Sequence, residues 1–94
     1  MTSIAERFSL TSQVAVVTGA GRGIGEGIAL DFADAGAKVA LAARRTEEIE
    51  RVAARIVAEG GEAIAVTTDV MDPEQLESLA IEATDRLGPV TCWV

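Results

Sequence analysis

The sequence predicts an α/β fold in which a doubly wound parallel sheet carries helices on both faces, and three observations predict it. Short β-branched or alanine-rich runs alternate with amphipathic stretches in the order βαβαβα, followed by the start of a fourth strand. Glycine or Gly-Pro ends most of these stretches. The connections are short, which with parallel strands requires right-handed crossovers. Double winding then gives a strand order of 3-2-1-4, with the last strand incomplete.

Taken in order, "VAVVTG" (residues 14–19) is a β-branched run stopped by glycine, which predicts a strand buried on both faces. From Gly23 to Ala35 the apolar residues Ile24, Ile28, Leu30, Phe32 and Ala35 keep a roughly helical spacing, with Gly36 as the stop. "AKVALAA" (residues 37–43) is the second strand. Ile49, Val52, Ala53, Ile56 and Val57 then follow i, i+3, i+4, i+7, i+8, the pattern of an amphipathic helix. Thr46 is its predicted N-cap, with Glu47, Glu48 and Glu50 where the helix dipole favours negative charge, and Gly60-Gly61 its end. "AIAVTTDV" (residues 63–70) is the third strand. Asp72 as N-cap and Pro73 at the first helical position open a third helix whose face is Leu76, Leu79, Ala80, Ala83 and Leu87. Gly88-Pro89 closes it and "VTCWV" begins the fourth strand.

A chain of 94 residues makes one small domain at most, with a modest core. Residues 1–94 are accordingly expected to belong to a single domain. The formal net charge is −7, which argues against nucleic acid or an anionic membrane surface as partner. That charge lies almost wholly in the second half: residues 1–45 carry five basic and four acidic side chains, residues 46–94 three basic and eleven acidic. Cys92 is the single cysteine, so no internal disulfide can form, and a buried or incidental thiol is expected rather than a nucleophile or metal ligand. "MTSIAERFSL" has no continuous apolar core and no run approaches a membrane span, so a soluble cytoplasmic protein is expected.

The chemistry concentrates in T-G-x-x-x-G-x-G: Thr18, Gly19, Gly23 and Gly25. Neither G-x-G-x-x-G nor G-x-x-x-x-G-K-[ST] occurs. A strand that stops at glycine and passes directly into a helix aims free backbone N–H groups and a positive dipole end above the carboxyl edge of the sheet, a site for phosphate. Glycine allows the pyrophosphate close to the backbone and permits positive φ in the turn. The simpler alternative is a glycine-rich turn with no ligand. Gly21 and Gly27 need be no more than small, Gly27 letting the helix pack closely on the sheet.

About twenty residues on, the tip of the second strand reads Ala43-Arg44-Arg45. In a dinucleotide-binding βαβ unit an acidic residue at this tip accepts hydrogen bonds from the adenosine ribose hydroxyls. A guanidinium cannot accept, but it forms charge-assisted hydrogen bonds with a 2′-phosphate. Arg44, helped by Arg22 from the glycine loop and by Arg45, therefore points to NADP(H) rather than NAD(H). The alternative is that both tip arginines are solvated or pair with Glu47 and Glu48.

These motifs resemble the N-terminal part of a classical short-chain dehydrogenase/reductase with a Rossmann-type sheet. "TGAGRGIG" (residues 18–25) is similar to that family's cofactor motif and "FSLTSQVAVVTG" (residues 8–19) to its lead-in. The resemblance implies that Gly19, Arg22, Gly23, Ile24 and Gly25 hold the pyrophosphate and flanking groups. It also implies that Asp69-Val70 meets the adenine ring, Asp69 being otherwise a polar strand end beside the Asp72 cap. It further implies hydride transfer between the nicotinamide and a small-molecule alcohol/carbonyl pair in a homo-oligomer.

The same family resemblance implies an Asn-Asn-Ala-Gly motif, a serine and a Tyr-x-x-x-Lys pair, the tyrosine being the acid/base. This sequence has no tyrosine, asparagine or histidine. Its one lysine, Lys38, opens the second strand, and Ser3, Ser9, Ser12 and Ser78 match no catalytic position. The expectation is that the 94 residues are an inactive, poorly stable fragment of a complete reductase. Two alternatives are a truncated nucleotide- or partner-binding module and an S-adenosylmethionine-dependent methyltransferase, which would favour an acid where Arg44 stands.

Overall fold

The computed structural model describes residues 13–94; the lead-in at residues 8–12 and Ser3, Ser9 and Ser12 lie outside the described residues. The elements are β1 (Val14–Thr18), α1 (Gly23–Asp34), β2 (Lys38–Ala43), α2 (Thr46–Ala58), β3 (Ala63–Thr67), α3 (Pro73–Leu87) and β4 (Cys92–Trp93). The strands form one parallel sheet in the order β3-β2-β1-β4, the doubly wound order expected. Val14 pairs with Lys38 and Ala15 with Cys92, which sets β1 at the centre, buried along four of its five residues.

The alternation of side chains along the strands divides the core in two. Val17, Val39 and Leu41 face α1 and α2, packing on Ala29, Ile49, Val52 and Ile56. Val14, Val16, Ala40 and Ala42 face α3 and pack on Leu79, Ala83 and Leu87. Helices thus cover both faces, and each fully buried Leu or Ile contributes about 1.5–3 kcal/mol.

Several local expectations are corrected. Thr46 is the first residue of α2 and not its cap; the cap position is Arg45, which makes no side-chain cap bond. The Thr46 hydroxyl is instead 2.6 Å from that of Thr67 on β3. The apolar faces are rotated slightly from the sequence pattern: Ile24 is 84% exposed and Val57 is exposed. In α1 the only fully buried residue is Ala29, with Ile28, Leu30, Phe32 and Ala33 packed partly around it. Gly27 is exposed, and a β-carbon there would meet nothing within 4 Å, so it does not bring the helix close to the sheet. Gly25 does. Finally, β3 stops at Thr67, because Asp69 turns its carboxylate onto the Met71 N–H at 3.0 Å and ends the extended run. The Asp72 cap is present as expected, accepting from the Glu74 N–H at 3.0 Å.

Candidate dinucleotide site at the carboxyl edge

β1 ends at Thr18 and the chain must turn into α1 within four residues. Gly19 at φ +64° and Gly23 at φ +66° make that turn in the left-handed region that a β-carbon disfavours. Between them Arg22 occupies the cap position in extended backbone, φ −167°, and its side chain makes no cap bond. Among the described residues no side chain therefore caps the first N–H groups of α1, and the positive end of its dipole is left to the carboxyl edge. Behind the turn, a β-carbon on Gly25 would lie 2.7 Å from the Gly19 carbonyl carbon and 3.2 Å from the Ala20 Cα. The helix seats on the loop backbone because that position is glycine.

A cleft of about 360 Å³ opens beside this turn, across the ends of β1, β2 and β3. Gly19, Gly21 and Arg22 line it from the loop, Ala43, Arg44 and Arg45 from β2, Glu48 from α2, and Thr68, Asp69, Val70 and Met71 from β3. Three arginines face two carboxylates here, a local excess of positive charge in a chain of net charge −7. Arg44 is exposed and forms no ion pair among the described residues. Arg45 and Arg22 both approach Glu48, Arg45 Nη1 at 3.8 Å from Oε1 and Arg22 Nε at 4.0 Å from Oε2. From one turn further along α2, Arg51 Nη2 donates to the Gly21 carbonyl at 3.3 Å and lies 3.5 Å from Glu26 Oε1, tying the loop and α1 to α2.

Opposite the arginines, Thr68 holds the β3 end in place. It is 1% exposed, its N–H donating to the Ala43 carbonyl at 2.9 Å and its hydroxyl to the Val66 carbonyl at 3.0 Å. Asp69 is thereby set across from Arg44 at the β2 tip, its N–H donating to Gln75 Oε1 at 2.7 Å. Val70 and Met71 add an exposed apolar rim.

Of the sequence-derived candidates, the fold brings Gly19, Arg22, Arg44, Arg45, Asp69 and Val70 to one cleft. Gly23, Ile24 and Gly25 form the adjoining first turn of α1. Thr18 is committed elsewhere, its hydroxyl donating to the Val94 carbonyl at 2.9 Å. Glu48, Thr68 and Met71 also line the cleft; of these only Glu48 left a signal, three residues after Arg45 on a helix. A larger cleft of about 430 Å³ lies at the opposite edge around Lys38, Gly60 and Glu62 and has neither the glycine turn nor the arginines. Among the described residues no acidic, Cys or His cluster could hold a metal, and no helix is long and apolar enough to cross a membrane.

Comparison with known proteins agrees with this fold. A family profile described as short chain dehydrogenase matches residues 13–94. Over 85 residues the chain is 46% identical to a glycine betaine reductase of Emericella nidulans, covering 90% of this chain and 7% of that protein. A hydroxysteroid dehydrogenase structure from Escherichia coli superposes with a TM-score of 0.89 at 36% identity, over 92% of this chain and 37% of that one. An alcohol dehydrogenase from the archaeon Thermococcus sibiricus, solved in complex with 5-hydroxy-NADP, gives 0.82 at 38% identity over 86% and 35%. The chain spans about a third of the length of most of the curated relatives it matches, from 28% to 34%.

Proposed function

The chain belongs to the short chain dehydrogenase family, and from that premise we propose that it is the cofactor-binding part of an NADP(H)-dependent oxidoreductase acting on an alcohol/carbonyl pair. The observation that carries the cofactor choice is Arg44, an exposed guanidinium at the tip of β2 with no carboxylate partner among the described residues. It stands where an NAD-binding site would offer an acceptor to the ribose, and it has only donors to give. The turn at residues 19–23 and the uncapped start of α1 suit the pyrophosphate, with Arg22 beside it and Ile24 and Gly25 completing the helix start. Asp69 and Val70 suit the edge and face of the adenine.

When bound, the nicotinamide cofactor accepts or supplies the hydride. The chain's own work is to neutralise phosphate charge, to orient the dinucleotide along the carboxyl edge, and to choose between a 2′-phosphate and a 2′-hydroxyl. Proton transfer needs a group these residues do not supply: tyrosine and histidine are absent and Lys38 opens β2 at the opposite edge, 3.9 Å from Glu62. The acid/base tyrosine is assigned to sequence beyond the 94 residues, in keeping with the third of the relatives' length that the chain matches.

Titration of NADPH and NADH into the protein and into Arg44→Ala tests the cofactor choice. The variant is expected to bind NADPH about ten- to a hundredfold more weakly, the worth of a charge-assisted hydrogen bond or two, with NADH little changed. Equal weakening of both cofactors, or of neither, refutes the 2′-phosphate role. Binding of NADPH by the protein without turnover of any alcohol or carbonyl would favour a nucleotide-binding module.

A further inference from the structure

We propose that Glu48 is a specificity-determining residue of this cleft, a built-in carboxylate that competes with a 2′-phosphate for Arg22 and Arg45 and holds down the preference for NADP(H) over NAD(H). The inference rests on the cofactor reading above. Glu48 sits in the first turn of α2 between the glycine loop and the tip of β2, its side chain 24% exposed. It is seated tightly: a β-carbon on Gly21 would come 2.8 Å from the Glu48 Cβ and 2.7 Å from Oε2. Each carboxylate oxygen approaches one arginine, Oε2 that of the loop and Oε1 that of the β2 tip.

Both separations, 4.0 and 3.8 Å, are at the long end for an ion pair, and both guanidiniums are about 70% exposed. Pairs of this kind hold weakly, so a phosphate dianion can draw both arginines away. What it cannot remove is the carboxylate itself. With a 2′-phosphate bound beside Arg44, the half-buried Glu48 carboxylate is a like charge lining the same cleft, and it repels. With a 2′-hydroxyl the same carboxylate is an acceptor for a neutral donor. One side chain therefore acts with opposite sign on the two cofactors, which a role confined to supporting α2 would not do.

The experiment is Glu48→Gln, which keeps the shape and removes the charge, made in the protein as its source produces it and titrated with NADPH and NADH at low and high salt. NADPH affinity is expected to rise about three- to tenfold, NADH affinity to stay level or fall, and the gain to shrink as salt screens the removed repulsion. Glu48→Asp, which restores the charge, should return the ratio towards that of the parent. An unchanged or lowered NADPH:NADH ratio in Glu48→Gln, with Arg44→Ala still selectively weakening NADPH, overturns the Glu48 role alone. If Arg44→Ala shows no selective loss, the cofactor reading falls and this inference with it. Should Glu48→Gln fail to fold, Glu48→Met, uncharged and of similar length, makes the same measurement.

Discussion

At the carboxyl edge of the sheet β1 leads into α1 through residues 19–22, and β3 leads into α3 through residues 68–72. The second of these junctions satisfies itself. Asp72 caps α3 through the Glu74 N–H and also accepts from Gln75 Nε2 at 3.1 Å, Asp69 accepts from Met71, Gln75 accepts from Asp69, and Pro73 has no N–H to satisfy. The first junction has no such side chains among the described residues. Glycine fills two of its four loop positions, with Ala20 and Arg22 at the other two, the cap residue points no oxygen at the helix, and the side-chain hydrogen bond the loop does receive, from Arg51, goes to the Gly21 carbonyl. A helix end that closes on itself serves the fold, and one left open has its donors free for an anion.

The widest separation between the two junctions should come from Gly25→Ala. Its new β-carbon would press on loop backbone, which has no rotamer to give way, and overpacking of this kind costs about 1–3 kcal/mol. Denaturant unfolding should show that loss, and titration should show both NADPH and NADH weakened, because displacing the turn moves every N–H aimed at the pyrophosphate. Gly27→Ala, two residues on, provides the control: it meets open space and should stabilise the helix slightly. A Gly25→Ala protein that is as stable as its parent and binds normally would mean that the close seating of α1 does not shape the loop.

That pair of glycines also marks where sequence legibility ended. Strand order, the alternation of layers and the glycine turn were readable because each is written in local pattern: β-branched runs, helical spacing, and T-G-x-x-x-G-x-G at a strand end. Which glycine of α1 faces the loop depends on how far the helix is rotated against the sheet, and periodicity places a face only to within a residue or so. Ile24 and Val57 sat at the margins of their predicted faces and proved exposed for the same reason. Thr46 resembled a cap, but its hydroxyl meets Thr67 from a strand 21 residues away, a tertiary contact with no local signature. Glu48 was legible as a first-turn acid; its place between two arginines required the loop and the β2 tip to meet.

Asp72→Ala addresses the self-satisfied junction. It removes the cap of α3 and frees Gln75, and loss of an aspartate cap costs about 1 kcal/mol. Unfolding should register that cost while the affinities for NADPH and NADH stay close to the parent's. A large loss of cofactor binding would place the β3–α3 turn among the groups that hold the ligand and erase the contrast between the two junctions.

The smallest effect, and the most discriminating, is expected from Arg22→Ser. The backbone at residue 22 is already extended, φ −167° and ψ 167°, as a cap residue requires, so serine can accept from the start of α1 without rearrangement. Stability should rise by about 0.5 kcal/mol, the gain of a neutral cap. Little is lost with the Glu48 pair, since Arg22 is 73% exposed and the charges are 4.0 Å apart. Binding should move the other way: the serine oxygen competes for N–H groups the pyrophosphate would use, and one positive charge leaves the cleft, so NADPH and NADH both weaken. Stability and affinity falling together would instead make Arg22 a support of the fold. Opposite signs would mean that the first junction is kept open at the expense of the helix that follows it, which is what separates a ligand site from an ordinary strand-to-helix turn.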